Sequence, residues 1–123
     1  MAKEFSVGQI WEYKTRATEL GSKVTILKID FLNDQEIIHI YVGGLKLKNP
    51  QSPTGYGEDI SHMPISPDAL KESVTELVNQ TESLPNFEEG YEIWREAFDS
   101  GKAGIFTISV KECVEFMEQT INQ

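Results

Sequence analysis

The hydrophobic pattern of the chain changes its period near residue 66, and this change restricts the fold more than any other feature of the sequence. Before residue 66, apolar and polar residues alternate, which places Trp11, Tyr13 and Thr15 on one face of a predicted strand. After it, apolar residues recur every three or four positions, which is typical of helices that bury one face. The sequence therefore predicts an α+β protein with helices packed over an antiparallel sheet.

Eight elements are predicted from this pattern and from the turn residues between them. The strands are expected near residues 9–16, 23–30, 36–42, 60–65 and 104–108. The helices are expected near residues 67–80, 87–100 and 110–121. Short connections between the first three strands, including a turn at Asn33-Asp34, imply an antiparallel meander sheet or a small half-barrel. With 123 residues, the chain has the size of one domain, 1–123.

The first predicted helix has the clearest start signal in the chain. Ser66-Pro67-Asp68 combines a capping hydroxyl, a proline suited to the first helical position and a carboxylate favoured by the helix dipole. Leu70, Val74, Leu77 and Val78 then follow at helical spacing. We therefore predict one continuous helix over residues 67–80.

The distribution of charge excludes several classes of function. The net charge is −9, and residues 51–123 carry fourteen acidic side chains but only four basic ones. Such a surface repels DNA, RNA and anionic membranes, so the sequence predicts no nucleic-acid partner and no membrane partner. No apolar run approaches the roughly 18–20 residues that a membrane span needs, and the N-terminal residues show no secretion signal. We therefore expect a soluble cytoplasmic protein.

Acidic residues recur at helical spacing along the first two predicted helices. Like charges at this spacing cost about 0.2–0.5 kcal/mol per pair in an isolated helix, so the pattern slightly opposes helix stability. A basic partner protein would explain it, and solubility alone would tolerate it. The favoured prediction is a non-enzymatic domain, like an immunity or inhibitor protein, that presents an outward-facing acidic wall to a basic protein. The predicted binding residues are Asp68, Glu72, Glu76, Glu88, Glu92, Glu96 and Asp99.

His62 is the one candidate catalytic residue that the sequence offers. It follows the Gly/Pro-rich segment 49–59, and it defines the alternative prediction of a small hydrolase or lyase. His39 lies within an apolar strand and is predicted to be a residue of the sheet surface. The groups near His62 in sequence that could assist it are Ser61, Ser66, Glu58 and Asp59.

A small-ligand-binding module is a further alternative, in which the ligand would contact Trp11, Tyr13 or Tyr56, and Tyr56 on the segment 49–59 is the best exposed of the three. The favoured prediction for the strand residues Trp11 and Tyr13 is that they meet the helix residues Tyr91 and Trp94 in the core. Cys113 lies on the apolar side of the third helix and is expected to be a buried hydrophobic residue. One cysteine and two separated histidines match no ligand spacing, so no metal and no cofactor are predicted.

Two segments resemble short bacterial proteins that are grouped as domains of unknown function. Phe5 to Arg16 (FSVGQIWEYKTR) looks like the opening strand of small SH3-like domains. Gly90 to Phe98 (GYEIWREAF) and Gly104 to Val110 (GIFTISV) look like the C-terminal part of the same proteins. The resemblance implies an SH3-like N-terminal sheet and a bacterial, cytoplasmic setting, and it transfers no functional residue.

Overall fold

The computed structural model describes residues 4–122, and these residues form an α+β fold. The predicted α+β class is confirmed: these residues contain one five-stranded antiparallel sheet, one two-stranded sheet and three α-helices. The strands are β1 (Gln9–Tyr13), β2 (Lys23–Leu32), β3 (Gln35–Gly43), β4 (Leu47–Lys48), β5 (Tyr56–Gly57), β6 (Ile60–Ile65) and β7 (Val74–Gln80). The helices are α1 (Pro67–Ser73), α2 (Glu88–Asp99) and α3 (Val110–Ile121). Within residues 4–122, no helix has the length and apolar character needed to cross a membrane.

The large sheet has the strand order β6-β3-β2-β1-β7, and β4 pairs with β5 in the small sheet. The β2–β3 hairpin turns at Asn33 and Asp34, whose φ angles of 52° and 61° suit the tight turns that follow the twist of the strands. This turn lies where the sequence predicts it. The sheet does not close into a barrel, because β6 and β7 form its two opposite edges.

The prediction of one helix over residues 67–80 is wrong in its second half. Ser66 caps α1 by accepting a hydrogen bond from the Ala69 N–H, as the start signal indicates, but the helix ends at Ser73. Residues 74–80 form β7. This strand pairs with β1, and the pairing supplies hydrogen-bond partners to the outer backbone groups of β1. Val74 is buried, whereas Leu77 and Val78 are largely exposed, so the apolar spacing that suggested a helix does not mark a buried stripe.

The predicted strand over residues 104–108 is also wrong, because the described residues form only a single parallel bridge there, between Phe106 and Ile65. Extending that bridge toward Gly104 would require an N–H at position 64, and Pro64 has none. The carbonyl oxygen of Gly104 instead accepts a hydrogen bond of 2.9 Å from Trp94 Nε1. A side chain of α2 therefore replaces the missing ladder bond.

The helices cover both faces of the sheet. Alternate residues of β3 point to opposite faces, and Ile38 and Ile40 lie in the main core with Val110 and Val114 of α3. His39 faces the other side, where the ring of Trp94 on α2 packs against it at a centroid distance of 4.9 Å. Trp11 and Tyr13 belong to the α3 side of the sheet, so the predicted meeting of these residues with Trp94 is wrong.

Candidate functional site

A chain of polar side chains joins three adjacent strands to α2. Its members, here called the His39 cluster, are Asp30 of β2, His39 of β3, His62 of β6 and Tyr91 of α2. His39 Nε2 lies 3.0 Å from Asp30 Oδ2, and His39 Nδ1 lies 2.8 Å from His62 Nε2. The Tyr91 hydroxyl donates a hydrogen bond of 2.7 Å to the same Asp30 oxygen. The strand order places β6, β3 and β2 side by side, which brings these groups together.

His39 is the central and most deeply buried member of the His39 cluster, with 0% of its surface exposed. The rings of Tyr91 and Trp94 both meet His39 nearly edge-on, each at a centroid distance of 4.9 Å. Both ring nitrogens of His39 have polar partners, so its burial leaves no orphaned donor or acceptor. This arrangement stabilises a polar residue inside an otherwise aromatic layer.

The partners of His39 determine where the protons lie. The Asp30 carboxylate only accepts hydrogen bonds, so His39 Nε2 carries the proton and donates it. In a neutral ring, His39 Nδ1 then accepts a hydrogen bond from the Nε2–H of His62. The Nδ1 atom of His62 is left as the unprotonated end of the chain.

Burial keeps both imidazoles neutral at neutral pH. Burial lowers the pKa of His62 to about 4, and the neighbouring His39 contributes in the same direction. Burial also lowers the pKa of His39, although the Asp30 carboxylate opposes this shift. The neutral forms agree with the proton positions that the hydrogen bonds require.

We expect the stability of the fold to decrease as the pH falls from about 6.5 to about 4. The pKa of His62 is 6.5 in a model peptide and about 4 in the fold, so the unfolded chain binds a proton first on acidification. The full shift corresponds to roughly 3 kcal/mol, and solvent screening of this partly buried ring reduces it to about 1–2 kcal/mol.

Urea unfolding at a series of pH values measures this effect. The matched control is His62→Gln, whose side-chain amide can still donate to His39 but does not titrate. Stability that falls equally steeply in both proteins would show that His62 is not responsible.

Arg95 and Asp99 extend the His39 cluster to the surface of α2, and Lys28 of β2 lies beside the Tyr91 ring. Arg95 Nη1 donates a hydrogen bond of 3.1 Å to the Tyr91 hydroxyl, and Arg95 Nε lies 3.2 Å from both carboxylate oxygens of Asp99. The ammonium group of Lys28 lies 5.3 Å from the centroid of the Tyr91 ring. Hydrogen bonds therefore run without interruption from β6 to the exposed side of the helix.

The four acidic residues that the sequence singles out on the second helix lie on one exposed face of α2. Glu88, Glu92, Glu96 and Asp99 point away from the buried Trp94, and Glu89 is exposed beside them. Glu89 is not among the predicted binding residues, although it lies three residues before Glu92. We call this surface the α2 acidic face: Glu88, Glu89, Glu92, Glu96 and Asp99.

The remaining acidic residues of the predicted wall lie elsewhere. Asp68 and Glu72 are exposed on α1, which packs with α3 on the other side of the sheet from α2. Glu76 is exposed in β7, at the sheet edge opposite β6, and α2 contacts β6. One acidic wall shared by two helices is therefore a wrong prediction, because Asp68 and Glu72 lie on the other side of the sheet from α2 and Glu76 lies in a strand.

The structure also shows where the side chains predicted to assist His62 in catalysis lie. The carboxylate joined to His62 through His39 is Asp30, whereas Asp59 accepts a hydrogen bond of 3.0 Å from the Tyr41 hydroxyl. Ser66 is used as the cap of α1. The sequence analysis missed Asp30 and the role of His39. The turn at Asn33-Asp34 was the available signal, because it sets the register that brings Asp30 and His39 together on the hairpin.

A cleft of about 300 Å³ lies beside His62, between β6 and the N-terminal half of α2. Segment 49–59, which precedes His62 in the sequence, contributes no residue to the lining of this cleft. Gly90 permits the close approach of helix and strand, because a Cβ atom at this position would lie 3.3 Å from His62 Cβ. The lining residues are Ser61, Asn86, Phe87, Glu89, Gly90 and Ile93.

Neither Cys113 nor the potential metal ligands of residues 4–122 form a second candidate site. Cys113 is buried in the core, and burial raises the pKa of its thiol to about 12, so it behaves as a hydrophobic residue. Across residues 4–122, no three His, Cys, Asp or Glu side chains gather in a way that could hold a metal ion.

Comparisons of this chain with protein-family models, with curated proteins and with solved structures found no match. Its function is therefore inferred from distances, burial and charge. The candidate surfaces are the α2 acidic face, the cleft beside it and the exposed Tyr56 of β5.

Proposed function

We propose that this chain is a non-enzymatic protein-binding domain whose α2 acidic face binds a basic partner protein. The observation that carries this proposal is the charge of the α2 surface, where five exposed carboxylates accompany one basic residue, Arg95. Arg95 donates to Tyr91 and Asp99, so it neutralises one end of the face and leaves Glu88, Glu92 and Glu96 without a salt bridge among the described residues. Complementary charge of this kind speeds association and specifies the partner.

The rigid attachment of α2 supports the proposal. Trp94 is buried, bonds to Gly104 and stacks on Phe98 at a centroid distance of 4.8 Å. Tyr91 fixes the same helix to Asp30 of the sheet. A surface that is held in place before binding loses little conformational entropy when a partner docks, which favours affinity.

An apolar anchor lies beside the charged residues. Ile93 is 65% exposed, and it lines the 300 Å³ cleft together with Phe87 and Glu89. A lysine or arginine side chain of the partner can place its aliphatic stem against Ile93 and Phe87, with its charged end near Glu89. The combination of an apolar pocket and a charged rim is typical of protein-binding surfaces.

The test is capture of partner proteins from the source cells by the wild-type domain and by two variants of equal charge. Glu88→Gln/Glu92→Gln/Glu96→Gln neutralises the α2 acidic face, whereas Glu72→Gln/Glu76→Gln/Glu115→Gln removes three exposed carboxylates elsewhere. We expect a protein that binds the wild type and the control variant, binds the α2 variant at least tenfold more weakly, and dissociates at high salt. Equal losses in both variants, or binding that is independent of salt, would contradict the proposal.

A second candidate function is acid–base catalysis by His62 in a small hydrolase or lyase. The hydrogen-bonded order Asp30–His39–His62 favours it, because a carboxylate that orients an imidazole is the arrangement used by catalytic triads. The lowered pKa of His62 makes the ring a weak base at neutral pH, which is why protein binding is proposed first. A panel of ester and phosphoester substrates tests this candidate, and turnover that survives in His62→Gln, or no turnover at all, removes it.

A further inference from the structure

A second cleft, which lies away from α2, has no part in protein binding by this helix. It has a volume of about 480 Å³, within the range typical of small-molecule sites, and lies beside β4 and β5. We propose that this cleft binds a small phosphorylated aromatic ligand of the nucleoside monophosphate class. The side chains that would hold the ligand are Lys46, Lys48 and Tyr56.

The register of the small sheet brings these three side chains together. Lys48 pairs directly with Tyr56 across the antiparallel ladder, so both side chains leave the same face. Lys46 precedes Lys48 by two residues and lies on that face as well, whereas Leu45 and Leu47 alternate with them and are buried. All three line the cleft.

Hydrogen bonds from neighbouring side chains hold the lysine backbone in place. Glu19 accepts a bond of 2.7 Å from the Lys46 N–H, and Glu118 accepts one of 2.8 Å from the Lys48 N–H. Asn122 donates a bond of 2.6 Å to the carbonyl oxygen of Lys48. The two ammonium groups therefore extend from a fixed strand.

Lys46 and Lys48 are the charged side chains of the cleft that can donate hydrogen bonds to a ligand. Arg16 also lines the cleft, but its guanidinium binds Glu19 and Glu118, at distances of 2.7 Å and 2.9 Å. Among the described residues, neither Lys46 nor Lys48 forms a salt bridge, although Lys48 helps to lower the pKa of Glu118. Two ammonium groups can donate to a phosphate group, and Arg16 offsets one of the two carboxylate charges of Glu19 and Glu118.

Tyr56 supplies a surface on which an aromatic ring can stack. It is 50% exposed, and it also lines a neighbouring cleft of about 370 Å³. The preceding loop is held by internal bonds, including Asn49 N–H to the Gly55 carbonyl at 2.8 Å and Thr54 Oγ1 to the Tyr56 carbonyl at 3.2 Å. An exposed aromatic ring in a fixed position is suited to stacking on a nucleobase.

The chain as a whole favours a small ligand over a nucleic acid strand. A polyanion would extend beyond the cleft and meet a protein of net charge −9, whereas a single phosphate group contacts only Lys46 and Lys48. Ala17 and Thr18 line the cleft as well and limit the space for a ligand.

Isothermal titration calorimetry of the full chain at low salt tests the proposal. The probes are AMP, GMP, CMP and UMP, together with adenosine, inorganic phosphate and a ten-nucleotide single-stranded DNA. We expect at least one monophosphate to bind ten times more tightly than adenosine or phosphate, because only the monophosphate uses both the ring and the lysines.

The substitutions Lys46→Gln, Lys48→Gln and Tyr56→Leu are each expected to weaken this binding about tenfold. Lys102→Gln, which removes an exposed lysine outside the cleft, is the matched control and is expected to bind like the wild type. The proposal is overturned if no monophosphate binds saturably, if Lys102→Gln weakens binding as much as Lys48→Gln, or if the oligonucleotide binds more tightly than every monophosphate.

Discussion

Replacement of Arg16 by methionine is expected to lower the free energy of unfolding by about 3 kcal/mol. Arg16 forms two hydrogen bonds with Glu19, at 2.7 Å and 2.8 Å, and Glu19 is only 3% exposed. Burial alone would raise the pKa of Glu19, but the hydrogen bonds from Arg16 and from the Lys46 N–H lower it overall. Without Arg16, a buried carboxylate loses its counter-charge. Urea denaturation at pH 7 measures the change.

Two controls separate this effect from the loss of a long side chain. Arg95→Met removes a surface arginine that also pairs with a carboxylate, and we expect it to cost much less stability than Arg16→Met. Adding Glu19→Gln to Arg16→Met is expected to recover part of the lost stability, because the buried charge is then absent. If Arg16→Met costs no more than Arg95→Met, burial of the ion pair does not stabilise the fold.

Replacement of His39 by leucine is the second large effect, also about 3 kcal/mol. Leucine fills a similar space but makes no hydrogen bond, so Asp30 loses one of its two donors and the Nε2–H of His62 loses its acceptor. The Asp30 carboxylate and the His62 ring are partly buried under α2, so water replaces the lost hydrogen bonds poorly. Thermal unfolding, followed by circular dichroism, measures the loss.

Tyr91→Phe provides the graded comparison for His39→Leu. It removes the hydroxyl that donates to Asp30 and keeps the ring that packs on His39, so we expect a cost of about 1 kcal/mol. Wild-type stability in His39→Leu would show that the His39 cluster does not contribute to folding. It would also remove the argument that this cluster holds α2 rigidly for binding.

The sequence predicts most elements of the fold because their hydrophobic periods are distinct. The alternating pattern of β1 to β3 and the helical spacing of apolar residues in α2 and α3 each fit one type of element. Residues 74–80 are different, because Leu77 and Val78 continue a helical spacing although Val74, Thr75 and Val78 are β-branched. Pairing with β1 then determines the outcome, and local spacing contains no information about that partner.

The candidate site was less accessible from the sequence than the fold. His62 and the acidic residues of α2 could be singled out by residue type and spacing. The turn at Asn33-Asp34 sets the register that brings His39 to Asp30, but the contacts with His62 and Tyr91 depend on the pairing of β6 with β3 and on which face α2 covers, and both are tertiary properties. The wrong prediction for residues 104–108 has a similar origin, since Trp94 takes the carbonyl that a strand would need.

The placement of the two tryptophans on opposite faces of the sheet gives the molecule two independent fluorescent reporters. Trp94 lies between α2 and the His39 ring, whereas Trp11 packs on the α3 side against Phe5 at a centroid distance of 5.6 Å. Detachment of α2 alone would expose Trp94 to solvent and leave the surroundings of Trp11 intact. Emission from single-tryptophan proteins can therefore distinguish opening of one side of the molecule from its complete denaturation.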